Sequence, residues 1–275
     1  MKRLILTADD FGAAPEVNEA VEIAHRDSVL RSASLMVGAP AFSDAVERAK
    51  RLPDLAVGLH VVLVNGRPVL PVERVPALVD KRGLFFRNLV GAGVRFFFHP
   101  GVRSQLAAEI RAQFEAFART GLQLDHVNAQ NHMHVHPTVF GLIVQIGRGF
   151  GLHAIRIPQE PFGRTRTIAP WLFLMRRRVR AAGLTCNDYV LGLNDAGAMT
   201  EPRVLHMLET LPNGVTEMLF HPAVRPLTQP DRGAEHFAWM EELRALTSAR
   251  VREAIIKHGI TLTTYGELAA RSGSG

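Results

Sequence analysis

The chain has 275 residues, 47% of them hydrophobic, and a formal net charge of +6. That size suits one large domain or two small ones with a sizeable core. No window of roughly eighteen residues is free of charged or strongly polar side chains, which excludes a membrane-spanning helix, and the single Cys186 excludes an intrachain disulfide and fits a reducing cytoplasm.

In chain order, Leu4–Thr7 reads as a buried strand and Pro15–His25 as a helix. The acids Asp9 and Asp10 follow Met1-Lys2-Arg3 too soon for a signal peptide. Ala33–Val37 is strand-like, Phe42–Arg51 helical and Ala56–Val62 a third strand. Residues 65–103 are rich in Pro, Gly and Phe with no clear period, so a long irregular connection is expected there. Gln105–Thr120 has helical spacing, Leu124–Val127 is a strand, Thr138–Phe150 a helix and Ala154–Ile157 a short strand. Residues 161–185 form a basic, apolar helix in which Trp171, Leu172, Phe173, Leu174 and Met175 stand among Arg164, Arg166, Arg176, Arg177, Arg178 and Arg180.

Tyr189–Leu191 is a strand, Glu201–Thr210 a helix, and Gly214–Phe220 a strand that ends at His221. Helices over Phe237–Thr247 and Ala249–His258 precede a last strand, Ile260–Thr263. One domain over 1–270 and a disordered tail, 271–275, are expected. Strands alternating with helices predict an α/β fold with a parallel sheet, and the number of units suits a barrel of seven or eight strands.

Four segments at expected strand ends carry polar chemistry. They are Asp9-Asp10, Gly58-Leu59-His60, the run His126–Pro137 with His126, His132, His134 and His136, and Glu217–Pro222 with His221. Parallel strands would put all four on one rim. Each has a plain structural reading alone: an N-cap with a dipole-favoured acid for Asp9-Asp10, a core histidine for His60, a strand-end residue for His221. Adjacent carboxylates at a strand end are costly unless a metal ion or a proton compensates them. Together with imidazoles they point to a divalent ion such as Zn2+ in a hydrolytic role. Such an ion lowers the pKa of a water molecule, a neighbouring Asp takes the proton, and a distant His protonates a leaving amine. That set describes amide hydrolysis.

Thr7-Ala8-Asp9-Asp10-Phe11-Gly12, Gly58-Leu59-His60, His126–Pro137, Thr216-Glu217 with His221-Pro222, and the closing Ile260–Leu268 together resemble the YdjC/ChbG carbohydrate deacetylases. The form of the His126–Pro137 run, with Arg156-Ile157-Pro158 and Glu160, is similar to the HpnK branch associated with hopanoid biosynthesis. The resemblance implies a distorted (β/α) barrel of about seven strands, one divalent metal ion (Mg2+ or Zn2+), and removal of acetyl from an N-acetylated amino sugar.

Residue by residue, it implies Asp9 as catalytic base, Asp10 and His60 as metal ligands, His221 as general acid and Arg156 as the residue that orients Asp9. The family's second metal histidine falls at Gln130, a poorer zinc ligand. Three arrangements stay open: Gln130 ligates weakly, His132 or His134 takes its place, or the site is impaired and the chain binds sugar without turning it over. The expected substrate is an N-acetylglucosaminyl hopanoid, with the apolar residues of 84–98 and 171–175 against its hydrophobic body; a soluble chitooligosaccharide is the alternative. No nucleic-acid motif accompanies the charge. Peripheral contact of segment 164–180 with the inner membrane surface, a cytoplasmic location and a homodimer are the remaining expectations.

Overall fold

A computed structural model describes residues 1–161, 164–228 and 234–272. The first strand, β1 (Lys2–Phe11), lies at the centre of an all-parallel sheet. Outward from it on one side run β2 (Ser32–Leu35), β3 (Ala56–Val61) and β4 (Leu124–Ala129), and on the other β6 (Gly214–Phe220) and β5 (Tyr189–Leu191). The two-residue β7 (Thr261–Leu262) pairs with Arg3 and Leu4, on the first half of β1, while β2 pairs with the second half from Thr7 onward.

The gap between β4 and β5 is bridged by the extended segment 153–159. The Val127 amide donates to the Ala154 carbonyl, Arg156 to Val127, Ile155 to Thr185 and Val190 to Gln159. The predicted strand Ala154–Ile157 therefore exists only as isolated bridges. The result is a distorted parallel barrel.

The helices that cover it are α1 (Pro15–Asp27), α2 (Phe42–Lys50), α3 (Leu89–Phe98), α4 (Pro100–Ala118), α5 (Pro137–Gly147), α6 (Ala169–Ala181), α7 (Glu201–Glu209), α8 (Trp239–Thr247), α9 (Ala249–Lys257) and α10 (Tyr265–Ser272). In α1, Pro15 supplies a preset φ at the first turn, and Val17, Ala20, Val21 and Ala24 form the buried stripe. Burying one such valine contributes about 1.5–3 kcal/mol. Three expectations need correction. The stretch 65–103 contains α3 and the start of α4. The basic helix is Ala169–Ala181, shorter than 161–185, and is preceded by a 3-10 turn. Finally, α10 runs through Arg271 to Ser272, so the tail is helical that far; residues 273–275 lie outside the described residues. Among the described residues no helix is long and apolar enough to cross a membrane.

Strand alternation sorts the side chains. On β1, Leu4, Leu6 and Ala8 join the large core under the helices. Ile5 points the other way, into a small apolar floor with Ala154, Val215, Tyr265 and Leu268. Above this floor the barrel is filled by polar residues rather than by layers of aliphatic ones: Thr7, Asp9, Ser34, His60, His126, Asn128, Arg156 and Glu217 are all buried. A buried polar interior persists only if its members satisfy one another.

Candidate active site

Neighbouring residues of a strand point to opposite faces, so Asp9 and Asp10 should diverge. They do not, because Asp10 has φ = 63°, a left-handed conformation that a non-glycine residue adopts at a cost. The pairing of β1 with β2 shifts register between Ala8 and Phe11 at the same place. The turn that follows is braced. The Gly12 amide donates to Asn18 Oδ1 at 2.7 Å, and Asn18 donates to the Ala41 carbonyl and to Asp44. Gly12 itself has φ = 98°, with the Met36 carbonyl 3.2 Å from where a Cβ would stand.

Asp9 is 2% exposed and accepts four hydrogen bonds. Its Oδ1 takes Ser34 Oγ at 2.8 Å, Asn128 Nδ2 at 3.0 Å and Arg156 Nη2 at 2.9 Å; its Oδ2 takes Arg156 Nη1 at 2.6 Å. Burial pushes this carboxyl up, but the charge and hydrogen bonds of Arg156, with smaller help from His60, hold it well below the usual range. Arg156 is shared. Its Nε and Nη2 also donate to Glu217 at 2.8 and 2.7 Å, and Glu217 accepts Thr7 Oγ1 at 2.6 Å and Tyr265 Oη at 2.7 Å. Burial opposes ionisation of Glu217 too, and Arg156 outweighs it. One buried guanidinium thus faces two buried carboxylates, with Asp10 beside them. A bound cation would balance the excess of negative charge.

His60 is held from behind. Asn128 Nδ2 donates to Asp9 and to Ser34 Oγ, so its Oδ1 is the atom 2.7 Å from His60 Nδ1. That puts a proton on Nδ1, and Nε2 faces Asp10 Oδ1 at 3.5 Å. Two donors each about 2.1 Å from one tetrahedral ion stand about 3.4 Å apart, so this spacing suits a shared ion. A histidine anchored through its other nitrogen is the usual support of a metal ligand.

Asp10 and His60 fit two positions of a metal site, and no third ligand of the usual kind joins them. Among the described residues no three His, Cys, Asp or Glu side chains converge on one point. Gln130 is buried immediately after β4, at the first position of the 3-10 turn Gln130–Val135. An amide oxygen, a carboxylate and one imidazole make a harder donor set than a zinc tetrad.

The remaining histidines separate. The His126 ring lies where a Cβ on Gly58 would stand, and its Nδ1 is 2.9 Å from Asp125 Oδ2. His136 caps α5 by accepting the Thr138 amide at 3.3 Å. His132 sits on a turn in which it and Asn131 have φ of 53° and 50°. Burial, then the Arg156 charge, push His132 down to about 4, so it is a neutral lone-pair donor at pH 7. His134 is fully buried and is held well below its usual value by burial, His132 and Arg156. His221 follows β6. Its amide donates to Glu242 Oε2 at 2.5 Å and its ring packs on Phe237. His221 Nδ1 is buried without a hydrogen-bond partner among the described residues.

Ser34, Asn128, Glu217 and Tyr265 carry the web around Asp9, and sequence reasoning assigned none of them a role. The one signal available was alternation: His126 and Asn128 share a strand face.

A cleft of about 780 Å³ opens at this rim, with Asp10, Asn65, Arg67, Phe85, Arg87 and Trp239 in its walls. Its floor loop is tied to α4: Gln113 bonds both the amide and the carbonyl of Val62, and Glu109 accepts the Val69 and Leu70 amides. A second cavity, about 620 Å³, lies at the other ends of the strands beside Asp54, Asp125 and Glu267.

A parallel barrel whose C-terminal rim carries paired carboxylates and an anchored imidazole beside an open cleft defines a hydrolase-type site. The chain belongs to the YdjC-like protein family, whose sequence profile it matches over residues 3–257. It is 31% identical over 274 residues to a carbohydrate deacetylase of Brevibacillus brevis, covering 97% of this chain and 99% of that one. It is 32% identical over 273 residues to a carbohydrate deacetylase of Vibrio cholerae, covering 97% and 96%. Among solved structures it resembles an Enterococcus faecalis protein proposed to cleave cellobiose phosphate, with a TM-score of 0.77, 28% identity and coverage of 97% and 98%.

Proposed function

We propose that this chain is a carbohydrate deacetylase that removes the acetyl group from an amino sugar carried on a lipid, an N-acetylglucosaminyl hopanoid. The observation that carries the chemistry is the single amide of Asn128, which ties Asp9 to His60. Asp10, His60 and Gln130, with His132 as the substitute third donor, would hold a divalent ion, Mg2+ or Zn2+. When bound, that ion supplies polarisation of the acetyl carbonyl and an acidified water.

The protein residues do the rest. Asp9 is ionised at neutral pH and, with its low pKa, is a weak base, which suits a proton donor that has itself been made acidic. Its Oδ2 accepts a single hydrogen bond, from Arg156 Nη1, and so keeps a lone pair for that proton. Arg156 fixes the plane of the carboxylate, and Glu217 fixes Arg156. His221 protonates the leaving amine as the C–N bond breaks.

The lipid assignment rests on the resemblance of the His126–Pro137 and Arg156–Glu160 segments to the hopanoid-associated branch. The second reading, a soluble chitooligosaccharide deacetylase, is favoured by the carbohydrate deacetylases that the chain matches over nearly its whole length. Acetate release from N,N′-diacetylchitobiose and from the acetylated glycolipid, each with added metal and with chelator, separates the two. Preference for the glycolipid is the expected result. No release from either substrate at any metal loading would leave a sugar-binding protein without catalysis and overturn the proposal.

A further inference from the structure

Helix α3 turns apolar side chains toward solvent. Val90, Val94, Phe97 and Phe98 are 77%, 53%, 58% and 68% exposed, and their spacing of i, i+4, i+7 and i+8 places them on one helical face. The opposite face, with Ala92 and Phe96, is the buried one. Helix α6 repeats the pattern. It buries Leu172, Met175 and Val179 and exposes Phe173 and Leu174, with Arg177 and Arg178 exposed one turn further on.

The two helices touch the same short segment, Val135–His136. Phe96 and Phe97 pack edge-on against His136, and Trp171 Nε1 donates to the Val135 carbonyl at 2.7 Å. Both helices therefore border the turn that carries Gln130 and His132, with their apolar outer side chains open to solvent.

Charge says what covers them. Residues 81–108 and 161–187 hold eleven of the 32 basic residues and none of the 26 acidic ones, although Arg82 and Arg180 pair with the flanking Asp80 and Asp188. A second copy of the chain would oppose this face with the same positive charge, whereas an anionic surface complements it. Exposed aromatic and aliphatic side chains among arginines are the composition of an interfacial helix pair. We propose that the outer faces of α3 and α6 form one docking face for an anionic lipid bilayer, placed beside the rim of the candidate site. Docking rests on the lipid-substrate reading only for its purpose; binding to a bilayer is measured without any sugar.

The probe is sedimentation of the full chain with phosphatidylcholine vesicles, with and without phosphatidylglycerol. Each arginine near such a surface is worth about fivefold in binding. Wild type is expected to bind the anionic vesicles alone, and less as salt rises. Arg177→Glu/Arg178→Glu should lose at least about 20-fold in vesicle binding while releasing acetate from soluble diacetylchitobiose at the wild-type rate. Phe97→Ser/Phe98→Ser should also lose binding, with its melting temperature recorded to show that it is folded.

Failure of wild type to bind either vesicle overturns the proposal. So does equal binding by wild type and both variants. A wild-type dimer in light scattering that the phenylalanine variant dissolves, with no vesicle binding, assigns the face to a second copy and overturns it too. A chain that binds vesicles yet shows no preference for glycolipid over diacetylchitobiose refutes the substrate reading and leaves the docking face standing.

Discussion

Asn128→Ala tests the link between the base and the metal-binding pair. The amide makes three hydrogen bonds, and its loss is felt unequally. Asp9 Oδ1 keeps Ser34 and Arg156, and Ser34 keeps its bond to Asp9. His60 loses the partner 2.7 Å from Nδ1, in a ring only 2% exposed. Stranding one buried donor costs about 1–3 kcal/mol, which in a chain of this size lowers the melting temperature by about 2–4 °C per kcal/mol. The released ring is free to rotate or to move its proton to Nε2, the atom that faces Asp10. Loss of such a support costs about 10–100-fold in metal affinity. Isothermal titration of apo wild type and variant with Zn2+ and with Mg2+ reads the affinity directly, and differential scanning calorimetry reads the stability. A destabilised variant with unchanged affinity would show that Asn128 serves the fold alone and would refute the link.

Four further outcomes follow from the same web. Glu217→Gln removes a like charge from the neighbourhood of Asp9, so the base becomes weaker still: kcat should fall and the acidic limb of the pH–rate profile should move to lower pH, and a limb that moves upward contradicts the shared-arginine arrangement. Asp9 and Glu217 both have depressed folded pKa values, so their stabilisation is fully present above the unfolded carboxylate value of about 4 and is lost as pH falls through the folded values. Urea unfolding between these limits should show wild type losing more stability than Glu217→Gln, and parallel curves would refute this. Tyr265→Phe removes the hydroxyl shared by Glu217 and Asn187 and should cost about 1–2 kcal/mol by denaturant titration, where an unchanged midpoint would show the hydroxyl to be idle. Gln130→His should raise zinc affinity by at least about tenfold over wild type in competition with a chromogenic chelator, and no change would remove position 130 from the metal site.

The strand ends were legible because each apolar run stops at a polar residue, and the rim segments Asp9-Asp10, His60, His126–Pro137 and His221 follow from that alone. Helix α3 was not. With Val90, Val94, Phe97 and Phe98 on its outer face it has no polar side, and without one the helical period does not show. The shared direction of Asp9 and Asp10 was also hidden, since it depends on one left-handed φ that no composition signals. Two partners of Asp9 were illegible for a simpler reason: Ser34 and Asn128 lie 25 and 119 positions away, and only barrel closure brings them together, while Arg156, 147 positions away, was expected beside Asp9 from the family resemblance alone. Glu217 and Tyr265 read as ordinary members of a strand end and a helix start until the floor of the barrel is seen.

That floor has a consequence for how the chain is made. All four rim segments belong to strands complete by residue 221, yet Tyr265, with its ring 4.9 Å from His126 and its hydroxyl on Glu217, comes from the last helix. Tyr265 and Leu268 supply two of the five apolar side chains of that floor, so without α10 the two carboxylates and the guanidinium would lie above an opening. The floor closes only when α10 docks, so residues well beyond β6 are needed before Asp9, Arg156 and Glu217 are shielded from below.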